Sequence, residues 1–170
     1  MTTIVKRDYN WHAIYTKARA EKKAYEVLTE NGINTFLPLQ KTLRQWKDRK
    51  RWVELPLFPS YIFVRVSLKE YDHALQNPYS VCYVRIEKKA VSIPDSDIES
   101  IKTLLERKYE LEVSNQKFEI GEKVMIKLGQ LAGMKGELVE IRGKHKVLLR
   151  IEAIGQSILF NVPIAELKKV

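Results

Sequence analysis

Residues 41–52 read Lys-Thr-Leu-Arg-Gln-Trp-Lys-Asp-Arg-Lys-Arg-Trp, a basic run in which Asp48 is the single acid and Trp46 and Trp52 bracket the charges. Lysine and arginine neutralise phosphate and an indole stacks on an exposed base, so this composition suits nucleic acid. Arg44, Lys47, Arg49, Lys50 and Arg51 are the candidate phosphate contacts. The other reading is a plain two-stranded hairpin whose tryptophans pack on its own base, and for Trp52 that reading is the favoured one. A second basic group, Lys17, Arg19, Lys22 and Lys23, opens a helical stretch. It reads equally as a solvated helix face and as a phosphate-facing patch. The net charge of +9 over 170 residues, with a pI near 9.5, favours a polyanionic partner, nucleic acid ahead of an anionic membrane.

No catalytic constellation accompanies these charges. His12, His73 and His145 are far apart and belong to no metal or nucleophile motif. There is no phosphate loop of the Walker type, and the pattern around Gly133 and Gly136 is wrong for an RNA-clamping loop. Cys82 is the only cysteine, which rules out an intrachain disulfide and a thiolate cluster and reads as a small buried side chain. We expect no enzyme, no metal and no cofactor. No apolar run reaches the length of a bilayer span and residues 1–10 lack a signal-peptide core, so the expected setting is cytoplasmic, without a membrane partner.

The elements that position these residues follow from periodicity. Residues 57–64, Leu-Phe-Pro-Ser-Tyr-Ile-Phe-Val, pass from the basic run into a strand with Tyr61 and Phe63 on one face and Ile62 and Val64 on the other. One face can line a core while the other offers an aromatic surface. Upstream, residues 10–16 alternate as a strand, with Trp11, Ala13 and Tyr15 on one side. A helix over 19–31 follows, with Ala20, Ala24, Val27 and Leu28 on one face and Gly32 as its stop. Downstream come an extended piece at 34–39, placed before the basic run, a short helix over 69–77, a strand at 81–86 and an extended piece at 90–93. A last helix runs to about 108, opened by the capping-box pair Ser96 and Glu99 with Asp95 and Asp97 in its first turn. This order predicts an α+β domain with a mixed sheet. Residues 110–117 read as a linker. Beyond them six glycines punctuate short runs at 123–128, 137–141, 147–151 and 157–162, the pattern of a small antiparallel barrel.

Phe58-Pro59-x-Tyr61 followed by Ile62-Phe63-Val64 resembles the central motif of the NusG family of transcription elongation factors. The block from Trp11 to Gly32 resembles that family's opening. Gly121-Glu122-x-Val124, Gly129, Ala132-Gly133-Met134-Lys135-Gly136 and Gly155 are similar to its KOW module. The resemblance implies a ferredoxin-like NGN domain at 1–109, a linker at 110–117 and an SH3-like KOW β-barrel at 118–170. It implies a monomeric, non-enzymatic factor that binds the clamp helices of RNA polymerase and promotes processive transcription and antitermination. Tyr15, Phe58, Pro59, Tyr61, Phe63 and Ile86 match the polymerase-binding positions. Residues 44–50 and 56–59 are closer to the specialised UpxY or RfaH kind, which acts on selected operons. The family's second polymerase contact falls at Asp72 and His73, where the hydroxyl-rich motif of the RfaH branch is absent. Lys17 matches one DNA-reading position of that branch, whereas neighbouring ones are Ala18 and Val27. Implied partners are RNA polymerase, DNA of the transcription bubble, nascent RNA, and a ribosomal protein or termination factor on the barrel. An RNA-binding or ribosome-associated protein and a polymerase-bound negative regulator stand as alternatives.

Overall fold

The structure, a computed structural model, describes residues 8–117 and 119–170. Residues 1–7 of the expected first domain and Phe118, the expected first residue of the barrel, lie outside the described residues. In chain order the elements are β1 (Asn10–Thr16), α1 (Glu21–Glu30), β2 (Asn34–Phe36), β3 (Leu39–Gln45), β4 (Lys50–Pro56), β5 (Tyr61–Val66), β6 (Ser80–Tyr83), β7 (Arg85–Ile86), β8 (Lys89–Ala90) and α2 (Asp95–Glu106). Then follow β9 (Glu112–Ser114), β10 (Glu122–Ile126), β11 (Lys135–Ile141), β12 (Lys144–Ile151), β13 (Gln156–Phe160) and β14 (Leu167–Lys169). The chain divides into two compact units, Met1–Asp95 and Ser96–Val170.

In the first unit four strands hydrogen-bond in the order β2-β5-β1-β6, every neighbouring pair antiparallel. β1 and β2 both run against β5, so they are parallel to each other with β5 between them and α1 as their crossover. β5 and β6 flank β1 in the same way. These two split crossovers are the ferredoxin-like arrangement. The sheet is thus antiparallel rather than mixed, because an intervening strand separates each parallel pair. One face packs under α1, where Ile14, Ile62, Val64, Val66 and Tyr83 meet Ala24 and Leu28. Helix α1 stops at Gly32, whose φ of 76° lets its N–H reach Thr29 O while Ile33 N–H reaches Leu28 O, both at 3.0 Å. Its start is later than the apolar spacing suggests. Ala20 N–H closes a turn onto Lys17 O at 3.1 Å with Arg19 at φ 60°.

The second crossover is shorter than expected. The helix anticipated over 69–77 contracts to a 3-10 turn, His73–Leu75. Asn77 explains the contraction: its Oδ1 accepts the N–H groups of Tyr79 and Ser80 at 3.0 and 2.9 Å while Nδ2 donates to Ala74 O at 3.1 Å. The side chain thereby supplies the partners that a further helical turn would have used. The strand expected at 81–86 breaks at Val84 into β6 and the small β7–β8 hairpin, whose turn residues Glu87 and Lys88 have φ of 49° and 68°.

In the second unit, α2 buries Ile98, Ile101 and Leu104. The capping box is not formed as the sequence suggested: the helix starts at Asp95, which places Ser96 and Glu99 inside it, and Glu99 pairs with Lys102 at 2.9 Å. Asp95 and Asp97 still stand in the first turn. Burial, then the nearby Glu152 charge, raises the Asp97 carboxyl above its usual range. Lys108, at φ 56°, ends the helix in left-handed geometry without a glycine.

Six strands follow in the antiparallel order β14-β10-β11-β12-β13-β9. The segment read as a linker supplies β9, which pairs with β13 and is fastened by Leu111, buried, and by an ion pair from Glu112 to Lys146. On β12 and β13 both faces are buried, through Val147, Leu148, Ile158, Leu159 and Phe160. Gly136 allows close strand approach, since a Cβ there would lie 2.7 Å from Val147 Cγ1 and 3.0 Å from Leu148 O. Arg150 clasps Glu137 with two bonds of 2.9 Å, and Gly121 N–H donates to the same carboxylate at 3.0 Å.

The hydrogen bond from Arg150 leads the effects that hold the Glu137 carboxyl below its usual range, against an opposing effect of burial. A depressed carboxyl stabilises the fold above its unfolded-state pKa, and the gain is lost as pH falls through the folded-state value. Glu137→Gln should therefore be less stable than wild type at neutral pH, by on the order of 1–3 kcal/mol. The gap should close as pH is lowered from about 5 to below 3, as followed by denaturant unfolding across that range.

Candidate functional site

The motif at 57–64 forms a tight turn feeding β5. Tyr61 N–H reaches back to Phe58 O at 3.2 Å, and Ser60, at φ 65°, donates its N–H to Glu21 Oε1 at 2.7 Å. Pairing of β1 with β5 sets Tyr15 opposite Tyr61. Directly paired residues share a face, so the two rings stand together, centroids 4.9 Å apart and tilted by 41°, with the Tyr61 hydroxyl donating to that of Tyr15 at 3.5 Å. That hydrogen bond first, and burial second, push the Tyr15 phenol up to about 12. Tyr15 is 38% exposed and Pro59 is exposed, so the turn and the tyrosine pair form one surface feature.

Phe58 and Phe63 require a correction. Both are fully buried, at 0% exposure, and cannot themselves touch a partner in this conformation. Phe58 meets Phe63 edge-on at 5.9 Å and the half-buried Phe36 stacks on Phe63 at 6.1 Å, so the three rings form one aromatic cluster. Ile86 is 51% exposed but stands on the β7–β8 hairpin, outside the four-stranded sheet. A residue that sequence reasoning missed is Cys82. It is half-buried rather than buried and lies opposite Tyr15 across β1 and β6. A register shift between Tyr15 and Thr16 accompanies it, and no local pattern announces that shift.

The basic run is a hairpin, β3 paired with β4 from Leu39 opposite Pro56 to Gln45 opposite Lys50, closed by Trp46 N–H on Arg49 O at 2.8 Å. Residues 41–52 are all exposed, and Trp52, at 66%, does not pack on the hairpin base as the sequence reading favoured. Trp46 is 46% exposed. Arg44 and Arg51 are directly opposed across the strands. Among the described residues no ion pair neutralises Arg44, Lys47, Arg49, Lys50 or Arg51.

The other basic group is divided. Lys17 and Arg19 are exposed in the β1–α1 turn, whereas Lys22 Nζ donates to Glu54 O at 2.9 Å and so ties α1 to the hairpin. Lys23 Nζ lies 5.9 Å from the Tyr79 ring centroid. Between α1, β2 and the hairpin base is a groove of about 400 Å³ lined by Lys22, Tyr25, Glu26, Phe36, Leu39 and Glu54. Asp72 and His73 are exposed at the second crossover, with His73 Nδ1 3.3 Å from Gln76 Oε1. Among the described residues no group of three or more His, Cys, Asp or Glu is placed to hold a metal ion, and no helix is long and apolar enough to cross a membrane.

The family model described as transcription termination factor NusG matches residues 9–102, more than half of the chain. The chain belongs to the NusG family. Members of that family are transcription factors rather than enzymes. Among curated proteins it is similar to the transcription termination/antitermination protein NusG of Chlamydia pneumoniae, 22% identical over 84% of this chain and 86% of the relative. The protein of the same name from Rickettsia felis is 20% identical over 94% of this chain and 89% of its own length. Among solved structures, one described as domain interaction in Thermotoga maritima NusG matches 96% of this chain and 98% of its own, at 21% identity and a TM-score of 0.55. That likeness extends the shared fold across both units of this NusG-family chain.

Like charges directly opposed on paired strands destabilise the pair. Arg51→Thr should accordingly leave the unfolding free energy unchanged or raise it, by roughly 0.2–1 kcal/mol. Thermal unfolding at low and high salt checks this, with the difference shrinking at high salt.

Proposed function

We propose that this chain is a specialised elongation and antitermination factor that docks on the clamp helices of RNA polymerase and promotes processive transcription of selected operons. The observation that carries the reading is the Tyr15–Tyr61 ring pair, exposed at Tyr15 and half-buried at Tyr61, beside the exposed Pro59 and next to the fully buried pair Phe58 and Phe63. Aromatic rings already paired with one another lose little conformational entropy when buried, which is the character of an interface hot spot. In this reading Tyr15, Pro59 and Tyr61 touch the partner, Ile86 adds an apolar contact at the margin, and Phe58 and Phe63 remain buried. A factor that binds one polymerase conformation better than another shifts the population toward it, so processivity rises without chemistry.

The hairpin then contacts the DNA of the transcription bubble, with nascent RNA a further ligand. Its unneutralised cations and exposed indoles support this assignment. Lys17 and Arg19 extend the phosphate surface, while Lys22 and Lys23, engaged in local contacts, contribute less. Asp72 and His73 are the second polymerase contact in this reading. We assign polymerase binding to residues 1–109, a range supported by the family match, which takes in most of α2 although that helix clusters with the second unit. The barrel is assigned to 118–170, and the connecting residues 110–117 lend it β9 as an edge strand. The barrel takes a second protein partner, a ribosomal protein or termination factor.

The test is capture of purified RNA polymerase by the full chain in salt high enough to suppress non-specific charge attraction. Tyr15→Ala with Tyr61→Ala should weaken capture about 30-fold or more, the equivalent of one 2 kcal/mol hot spot. Arg44→Ala with Arg49→Ala should spare capture and lower the steepness with which DNA affinity falls with salt. Retention of RNA without polymerase by the wild type would overturn the reading in favour of an RNA-binding or ribosome-associated protein.

A further inference from the structure

The turn that presents Pro59 and Tyr61 is held by a carboxylate outside the motif. Glu21 is the first residue of α1 and is only 6% exposed, an unusual position for an acid. Its Oε1 takes the Ser60 N–H at 2.7 Å, across 39 residues of sequence. Ser60 lies at φ 65°, a conformation unfavourable for any residue carrying a Cβ. Its carbonyl is engaged as well, accepting Thr16 N–H at 2.9 Å. Both backbone polar groups of Ser60 are therefore used, one by the start of α1 and one by the end of β1. The chain direction entering Tyr61 is set by these two bonds together with the turn bond from Tyr61 N–H to Phe58 O at 3.2 Å.

The β1–β5 pairing supplies only the carbonyl bond, as the next step of its ladder, and leaves the Ser60 N–H to Glu21. The register extends from Asn10 opposite Val66 to Tyr15 opposite Tyr61, so Ser60 sits one residue beyond the last regular pair. Without the carboxylate, its N–H would lose its partner in a half-buried site, and Ser60 would gain by relaxing toward negative φ. Pro59 and Tyr61, on either side of it, would turn with the peptide plane. Negative charge at this point is also favoured by the N-terminus of α1.

We propose that Glu21 is a positioning residue of the Tyr15–Tyr61 surface: its carboxylate holds Ser60 in the left-handed conformation and thereby sets the angle at which Pro59 and Tyr61 meet the polymerase. This rests on the polymerase-docking reading above. The proposal couples two residues in a way that a general stabilising role does not. Glycine adopts positive φ without strain, so Ser60→Gly should make the turn largely independent of Glu21.

The experiment uses the full chain with Glu21→Ala, Glu21→Gln, Ser60→Gly and the combination of Glu21→Ala with Ser60→Gly. Two quantities are read beside the melting temperature. One is the Ser60 amide resonance and the ring-to-ring contacts of Tyr15 and Tyr61 by NMR without polymerase; the other is Kd for purified RNA polymerase in high salt. Glu21→Ala should shift the Ser60 amide, weaken the ring contacts and raise Kd about tenfold, in line with loss of one charge-assisted hydrogen bond. Glu21→Gln, which keeps an acceptor oxygen, should recover most of that affinity, and so should the combined variant. If Glu21→Ala does not fold, Glu21→Asp carries the same expectations, since it keeps the charge but draws the carboxylate back by one methylene.

A lowered melting temperature with unchanged Ser60 and tyrosine signals and an unchanged Kd of the folded protein would overturn the proposal. Failure of Ser60→Gly to restore binding would overturn it as well. Absence of polymerase binding by the wild type would instead sink the docking reading, and the NMR comparison would still decide whether Glu21 holds the turn.

Discussion

Everything in the first unit depends on the antiparallel pairing of β1 with β5. That one register sends Ile14, Ile62 and Val64 toward α1 and sends Ala13, Tyr15, Tyr61 and Phe63 to the opposite face. A slip of one residue would exchange the faces, exposing the aliphatic core and burying the phenols. The β1–β5 pair is also central in the sheet, so both split crossovers are anchored to it. Fold and surface are consequently two readings of a single pairing.

Within the presented face the aromatic residues divide their work by depth. Phe58, Phe63 and Phe36 build a layer without polar atoms, where edge-on and stacked contacts leave little freedom. The tyrosines share that sheet face but are less buried, and the Tyr61 hydroxyl stays in reach of the Tyr15 hydroxyl. The second unit reaches rigidity by different means. There glycine permits close strand approach, and the clasp of Arg150 on Glu137 joins β11, β12 and the segment entering β10.

Much of this was legible in the sequence because it is local and periodic. The alternation in β1 and β5, the apolar face of α1 with its glycine stop, and the glycine-punctuated strands of the second unit each follow from neighbours a few residues apart. What was not legible depends on partners far along the chain. Alternation assigns Phe63 to a face but does not say that Phe36 and Phe58 close over it. β9 is a strand only because β13 offers it an edge, so its three residues looked like a linker. The sequence favours Trp52 on the hairpin base, but β3 and β4 form a two-stranded sheet of their own and leave Trp52 66% exposed. Glu21 looked like an ordinary acid in a first helical turn; its reach to Ser60 needs the fold to bring them together.

The length of the β3–β4 hairpin has an electrostatic consequence. Each strand has seven residues, and at the rise of an extended chain the span from Leu39 to Gln45 is about 20 Å. The Debye length at physiological ionic strength is about 8 Å, so the tip lies more than two screening lengths from the base. The charges of Lys47 and Arg49 at the tip are therefore screened from those near the base, where Lys22 donates to Glu54 O. A charge substituted at the tip changes what the tip attracts without disturbing the contact that ties the other end of the hairpin to α1.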